Sequence, residues 1–167
     1  MMTQLHTVSM LVNDHPGVLQ RVATLLNRRG FNIDSITVGA SEEPGLSRMV
    51  IVTPGDDRIL HQVVNQVEKL VDVVSIEILS EKPMVARELA LIKVEAEPMR
   101  RSEIIALAET FRATIADVSS NALVVQIVGD TDKIVAMIEL LQPYGIIETC
   151  RTGITAIARG KSVAKAP

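Results

Sequence analysis

The chain has 167 residues, 47% of them hydrophobic but only 2% aromatic, with no tryptophan and a net charge of −3. That length holds one ordinary domain or two of about 80 residues each, with a core built from Val, Ile, Leu, Ala and Met. The acidic balance argues against a nucleic-acid binder, no apolar run approaches the ~20 residues of a membrane span, and the lone Cys150 excludes an internal disulfide framework. With no signal-peptide plan at the N-terminus, the expected location is cytoplasmic.

In chain order, apolar periodicity predicts strand (about 5–13), helix (17–29), strand (32–39), strand (47–53), helix (57–70) and strand (72–79). The first junction, "VNDHPGVLQRV" at 12–22, is heavily marked for a simple turn. After it, Val18, Leu19, Val22, Leu25 and Leu26 recur at helical spacing, with Leu19 and Val22 expected in the core. Pro16 suits the first turn of that helix, where its missing N–H costs nothing, and Gly30 suits its C-terminal cap. The second helix sets Ile59, Leu60, Val63, Val64, Val67 and Leu70 on one face behind Asp56 or Asp57 as N-cap. Turn-rich "GASEEPGL" (39–46) joins the second and third strands as a hairpin.

"SEKP" at 80–83 reads as a linker, and beyond it the order repeats. The second series is strand (88–96), helix (101–113), strand (114–119), strand (122–129), helix (131–141) and strand (145–156). "GDDRILHQVVNQVEKLVDVV" from Gly55 aligns with "GDTDKIVAMIELLQPYGIIETC" from Gly129. The fold class is therefore α+β, two tandem ferredoxin-like βαββαβ domains, each an antiparallel sheet with helices on one face. The expected boundaries are 1–80 and 84–158, with a disordered tail at 159–167. "RMVIV" (48–52) and "ALVVQIV" (122–128) carry apolar side chains in both phases. Either both faces of those strands are covered or edge strands pair with another chain, and an oligomer is expected.

Catalytic signals are sparse. His6, His15 and His61 hold no metal-ligand spacing, and no CxxC, HExxH, GxSxG or Gly-rich phosphate loop occurs. Cys150, on a predicted strand beside Arg151, reads as a buried or half-buried small residue rather than a nucleophile. The acids of "GDTDK" (129–133) read as helix caps. Phe31, Phe111 and Tyr144 do not fall on central strands, so a base-stacking sheet is not indicated.

What remains is the opening turn. Gly17 allows close approach of a ligand, and the free N–H groups of a first helical turn attract a carboxylate. Asp14 could face an ammonium group, so an α-amino acid matches both charges. The plain alternative is that Asp14, Pro16 and Gly17 only shape the turn.

Three segments carry a resemblance: "HPGVLQRVATLLNRRGFNIDSITVG" (15–39), "LSRMVIV" (46–52) and "KLVDVV" (69–74). They resemble the ACT-domain front half of the regulatory small subunit of acetolactate synthase (acetohydroxyacid synthase). "ELALIKV" (88–94) and "FRATIADVSSNALVVQIVGDTDKI" (111–134) look like that family's C-terminal domain, and the likeness covers about residues 3–158. The resemblance implies a non-catalytic subunit. Such a subunit activates a large catalytic partner and makes it sensitive to a branched-chain amino acid, usually valine. It implies a homodimer whose ACT sheets join, with the effector at their interface. One side of that site would be Asp14, His15, Pro16, Gly17, Val18 and Leu19, and the other Asn32, Ile33 and Thr37. No cofactor is expected in this chain; thiamine diphosphate, magnesium and FAD are expected on the catalytic partner. Many members have Asn at the position of Asp14. In the second repeat, "EAEPMRRSEI" (95–104) has no glycine at the helix start, so no equivalent effector site is expected there. The alternative is a free-standing amino-acid sensor with an ACT domain that acts on another target.

Overall fold

A computed structural model describes residues 4–161. Its first half runs β1 (Leu5–Asn13), α1 (Val18–Arg28), β2 (Ser35–Ala40), β3 (Leu46–Pro54), α2 (Asp57–Val67) and β4 (Val73–Ile78), then a single 3-10 turn at Leu79–Glu81. The second half runs β5 (Met84–Glu95), α3 (Arg101–Thr110), β6 (Thr114–Val118), β7 (Ala122–Gly129), α4 (Thr131–Leu141), β8 (Ile146–Arg151) and β9 (Thr155–Ala158). The two sheets have corresponding orders, β2-β3-β1-β4 and β6-β7-β5-β8, and β9 pairs with β5. The paired strands are antiparallel, with Val8 opposite Ile51 in the first sheet and Ile92 opposite Val125 in the second. The two ferredoxin-like repeats predicted from the sequence are present.

By contacts the chain forms two compact units. The first runs to Val85 and takes up the chain again from Ile154, whereas the second is Ala86–Gly153. The boundary expected for the second domain, 84–158, therefore differs at its end. The strand predicted over 145–156 breaks at Thr152–Ile154, where Gly153 has φ +80°. Arg159, expected in a disordered tail, donates its N–H to Pro83 O at 2.9 Å. Residues 162–167 of that expected tail lie outside the described residues.

The core of the first unit lies between its sheet and helices. Val8, Met10 and Val12 of β1 and Met49 and Ile51 of β3 meet Val18, Val22 and Leu26 of α1 and Leu60, Val63 and Val67 of α2. Burying each such side chain contributes about 1.5–3 kcal/mol. On α1 the buried residues recur every four positions, which places Leu19 about 100° round the helix. Leu19 is 47% exposed, so the expectation that it joins the core is corrected, while Val22 is fully buried. The opposite face of this sheet is also closed. Thr7, Ser9, Leu11, Val50 and Val52 are buried, and β9 and the 3-10 turn lie against β1. The two apolar phases of "RMVIV" are thus met within one chain and do not themselves require a second copy. In "ALVVQIV" the pattern alternates, with Leu123, Val125 and Ile127 buried and Val128 exposed. Its unit has a separate core in which these three meet Ile92, Ile104, Ile134 and Met137.

The helix ends follow local chemistry. Asp56 caps α2, its carboxylate accepting from Ile59 N at 2.8 Å, and Asp130 caps α4 through Lys133 N at 3.0 Å. At the end of α1, Gly30 with φ +71° donates to Asn27 O and Phe31 donates to Leu26 O, a Schellman closure. Cys150, expected to be at least half buried, is exposed on β8. Cys150 stands opposite Leu91 of β5, on the face of the sheet away from the buried Ala90 and Ile92.

Candidate functional site

The marked junction folds as a reverse turn. Val18 N–H points to His15 O at 3.5 Å, and between them stand Pro16 and Gly17, the latter at φ +90°, ψ −8°. Proline followed by glycine at positive φ is the chemistry of a type II turn. Pro16 therefore precedes the helix and does not occupy its first turn, a correction to the sequence reading. The N-cap is Gly17, which has no side chain with which to cap. The first intrahelical bond is Arg21 N–H to Gly17 O at 3.0 Å, which leaves the N–H groups of Leu19 and Gln20 without an acceptor in the helix. Asp14, His15, Pro16, Gly17 and Leu19 are exposed around this turn, and only Val18 is buried.

The turn is tied down on two sides. Asp14 N–H donates to Gly45 O at 2.9 Å, and Asn13 N–H donates to Asp72 O at 2.9 Å. The Asp72 carboxylate lies 2.9 Å from His15 Nε2 and accepts from Arg21 Nε at 2.6 Å. The hydrogen bond from Arg21 holds this carboxyl below its ordinary value of 3.8, burial acts in the opposite direction, and the Arg21 and His15 charges assist the lowering. Neither Arg21 nor Asp72 is among the residues expected from the sequence. The available signals were an acid inside the apolar run "KLVDVV" and an arginine one helical turn after Gly17.

The other expected residues lie elsewhere. Asn32 and Ile33 precede β2, which begins at Ser35, so they belong to the connection after α1 and not to the strand. Asn32 O accepts from Thr53 Oγ1 at 2.8 Å. Asn32 and Ile33 line an open cavity of ≈450 Å³ with Ala23, Thr24, Asn27 and Phe31. Thr37 lies on β2, where its hydroxyl donates to Ile154 O at 3.2 Å. Eleven helical residues separate the Gly17 turn from the Asn32 connection, a rise of about 16 Å. One chain therefore gathers Asp14–Leu19 at one end of α1 and Asn32–Ile33 beyond the other, and does not bring the two sets together.

The corresponding turn of the second unit is differently filled. Arg101 Nη2 donates to Ser119 O and Ser120 O, both at 2.9 Å, and the Arg100 guanidinium stacks 4.5 Å from the Tyr144 ring centroid. Among the described residues no group of three or more His, Cys, Asp or Glu is placed to hold a metal, and no helix is long and apolar enough to cross a membrane.

Two family models match the chain, "AHAS small subunit-like ACT domain" over residues 8–75 and "Small subunit of acetolactate synthase" over 87–160. The protein named "Probable acetolactate synthase small subunit" of Methanothermobacter thermautotrophicus is 52% identical over 156 residues, covering 93% of each chain. The acetolactate synthase small subunit of Mycolicibacterium smegmatis is 45% identical over 158 residues, 95% of this chain and 93% of its own. The crystal structure of the acetolactate synthase small subunit from Thermotoga maritima superposes with a TM-score of 0.88 at 47% identity, over 95% of this chain and 99% of that one. The chain thus belongs to the family of acetolactate synthase small subunits, regulatory subunits with an N-terminal ACT domain.

Proposed function

We propose that this chain is the non-catalytic subunit of an acetolactate synthase. It binds and activates a large thiamine-diphosphate-dependent catalytic subunit and makes it sensitive to feedback by valine. Thiamine diphosphate, magnesium and FAD belong to that partner, where the chemistry occurs. The chain acts as a homodimer joined through its ACT units, and the effector binds between protomers.

The observation that carries this reading, beyond family membership, is the separation of the two half-sites along α1. A two-fold axis makes the same patch meet itself. It can therefore set the Gly17 turn of one protomer against the Asn32 connection of its partner, twice per dimer. The exposed turn supplies unpaired N–H groups for a carboxylate, and Asp14 supplies a partner for the ammonium. Burial of a valine side chain yields about 1.5–3 kcal/mol, and charge-assisted hydrogen bonds add about 1.5–3 kcal/mol each before ordering costs. A dissociation constant of ~0.1 mM needs only about −5.5 kcal/mol, a range suited to a metabolite sensor. Inhibition follows when the effector favours one of two arrangements of the regulatory dimer on the enzyme.

The test uses two variants, Gly17→Asp and Asn32→His, each of which spoils one half-site. Either homodimer is expected to lose the valine-dependent rise in melting temperature. A mixed dimer carries both defects in one site and neither in the other. Random exchange of equal amounts makes about half the dimers mixed, so mixing the variants should restore about a quarter of the valine bound by wild type. Full valine response in both variants, or no recovery on mixing after subunit exchange, would overturn the site assignment.

A further inference from the structure

Asp72 stands in an apolar run, immediately before β4, and its side chain is only 7% exposed. A carboxylate so placed has lost most of its water and must be satisfied by protein donors. Three donors converge on the residue, and each comes from a different part of the opening junction. Asn13 N–H, at the end of β1, reaches the main-chain oxygen at 2.9 Å. His15 Nε2, in the turn, lies 2.9 Å from Oδ1, and Arg21 Nε, in the first turns of α1, donates to Oδ2 at 2.6 Å. The two side-chain donors are 48% and 47% exposed, so water could satisfy them elsewhere. The buried acceptor is what draws them together. Arg21 is thereby laid across the open side of the turn, with Nη1 3.2 Å from the point a Cβ on Gly17 would occupy.

We propose that Asp72 is the positioning residue of the effector turn: through His15 and Arg21 it fixes the backbone around Gly17 in the geometry that receives an amino acid's carboxylate. The proposal rests on the effector reading above and adds to it a residue 55 positions from Gly17 in sequence that does not touch the ligand. A preorganised turn binds more tightly because its ordering cost is met before the ligand arrives.

The experiment uses the full chain as wild type, Asp72→Asn, Arg21→Gln and the double variant. Asparagine preserves the size of Asp72 and the main-chain bond to Asn13, but replaces one acceptor oxygen with a donor. Valine binding is measured by calorimetry, and amide hydrogen exchange of residues 14–21 is measured with no ligand present. Each single variant is expected to weaken valine binding about tenfold, the scale of one charge-assisted hydrogen bond. Exchange in 14–21 should quicken while the amides of β3 keep their protection. Because both substitutions cut one link, the double variant should be no more than about twofold worse than either single. Should Asp72→Asn fail to fold, Arg21→Gln and Arg21→Gln/His15→Gln, which alter only half-exposed side chains, carry the same expectations. Fully additive losses, or unchanged exchange in 14–21, would overturn the proposal. A wild type that binds no branched-chain amino acid overturns the effector reading, and the role of Asp72 in binding falls with it, even where the variants exchange faster.

Discussion

Replacing Gly17 with alanine tests how much of the opening junction depends on glycine. Its φ of +90° lies in the left-handed region, which costs an L-residue about 1–2 kcal/mol. The new Cβ would also meet Arg21 Nη1 at 3.2 Å. That atom is the end of a long side chain and can give by a few tenths of an ångström, so the steric addition is small. Alanine's restriction of the unfolded chain stabilises only where the native backbone suits it, and here it does not. Gly17→Ala should therefore cost about 1–2 kcal/mol. The control is Gly39→Ala in β2, where the backbone is ordinary and nothing lies within 4 Å of the added methyl. A glycine inside a strand is disfavoured by about 0.5–1 kcal/mol, so this change should be neutral or slightly stabilising. Urea unfolding followed by far-UV circular dichroism, with unchanged denaturant slopes, gives the difference directly. Equal stability of the two variants would refute the assignment of a strained turn at Gly17.

Four further outcomes are expected. Asp130→Ala removes the oxygen that accepts from Lys133 N and should cost about 1 kcal/mol in urea titration. Leu60→Ala, at a fully buried position, should cost about 2–5 kcal/mol, whereas Leu19→Ala, at an exposed one, should stay within about 0.5 kcal/mol. The lowered Asp72 carboxyl contributes stability that is fully present above its ordinary value and is lost as pH falls through the lowered one. The acid limb of the stability profile should therefore flatten in Asp72→Asn, as read by urea midpoints below pH 5. In the second unit Glu88 is 3% exposed and takes two bonds from Arg151, at 2.6 and 2.9 Å. Arg151→Ala should be more destabilising than the double change Glu88→Leu/Arg151→Met, because only the single change strands a buried carboxylate.

The sequence reveals the repeat because each βαββαβ series is written locally. Leu60, Val63 and Val67 mark a helix face, Leu123, Val125 and Ile127 mark a strand face, and Asp56 and Asp130 mark helix starts. The misplaced features depend on contacts that local pattern does not encode. "IIETCRTGITAIA" keeps its apolar residues through Gly153, so one strand was expected. In the structure the chain breaks there, and Ala156 is buried with the first unit. Val50 and Val52 on the second face of β3 are buried within the chain as well, which accounts for its apolar residues in both phases, an observation that otherwise suggested pairing with another chain. At the opening turn the residue types were legible but not the registration. Pro16 suits either a first helical turn or the corner of a type II turn, and only Gly17's positive φ separates the two. Asn32 and Ile33 enter the proposed site through the family resemblance alone. Arg21 and Asp72 were not legible, because their pairing spans 51 residues and each looks ordinary in its own neighbourhood.

The central claim is that this chain regulates an enzyme it does not itself contain, and reconstitution tests it most directly. The chain is mixed with the large acetolactate synthase subunit from the same source, and acetolactate formation is followed with and without valine. The expected result is no turnover by this chain alone, higher turnover of the mixture than of the large subunit by itself, and loss of that gain when valine is added. Turnover that neither rises on mixing nor falls with valine would contradict it.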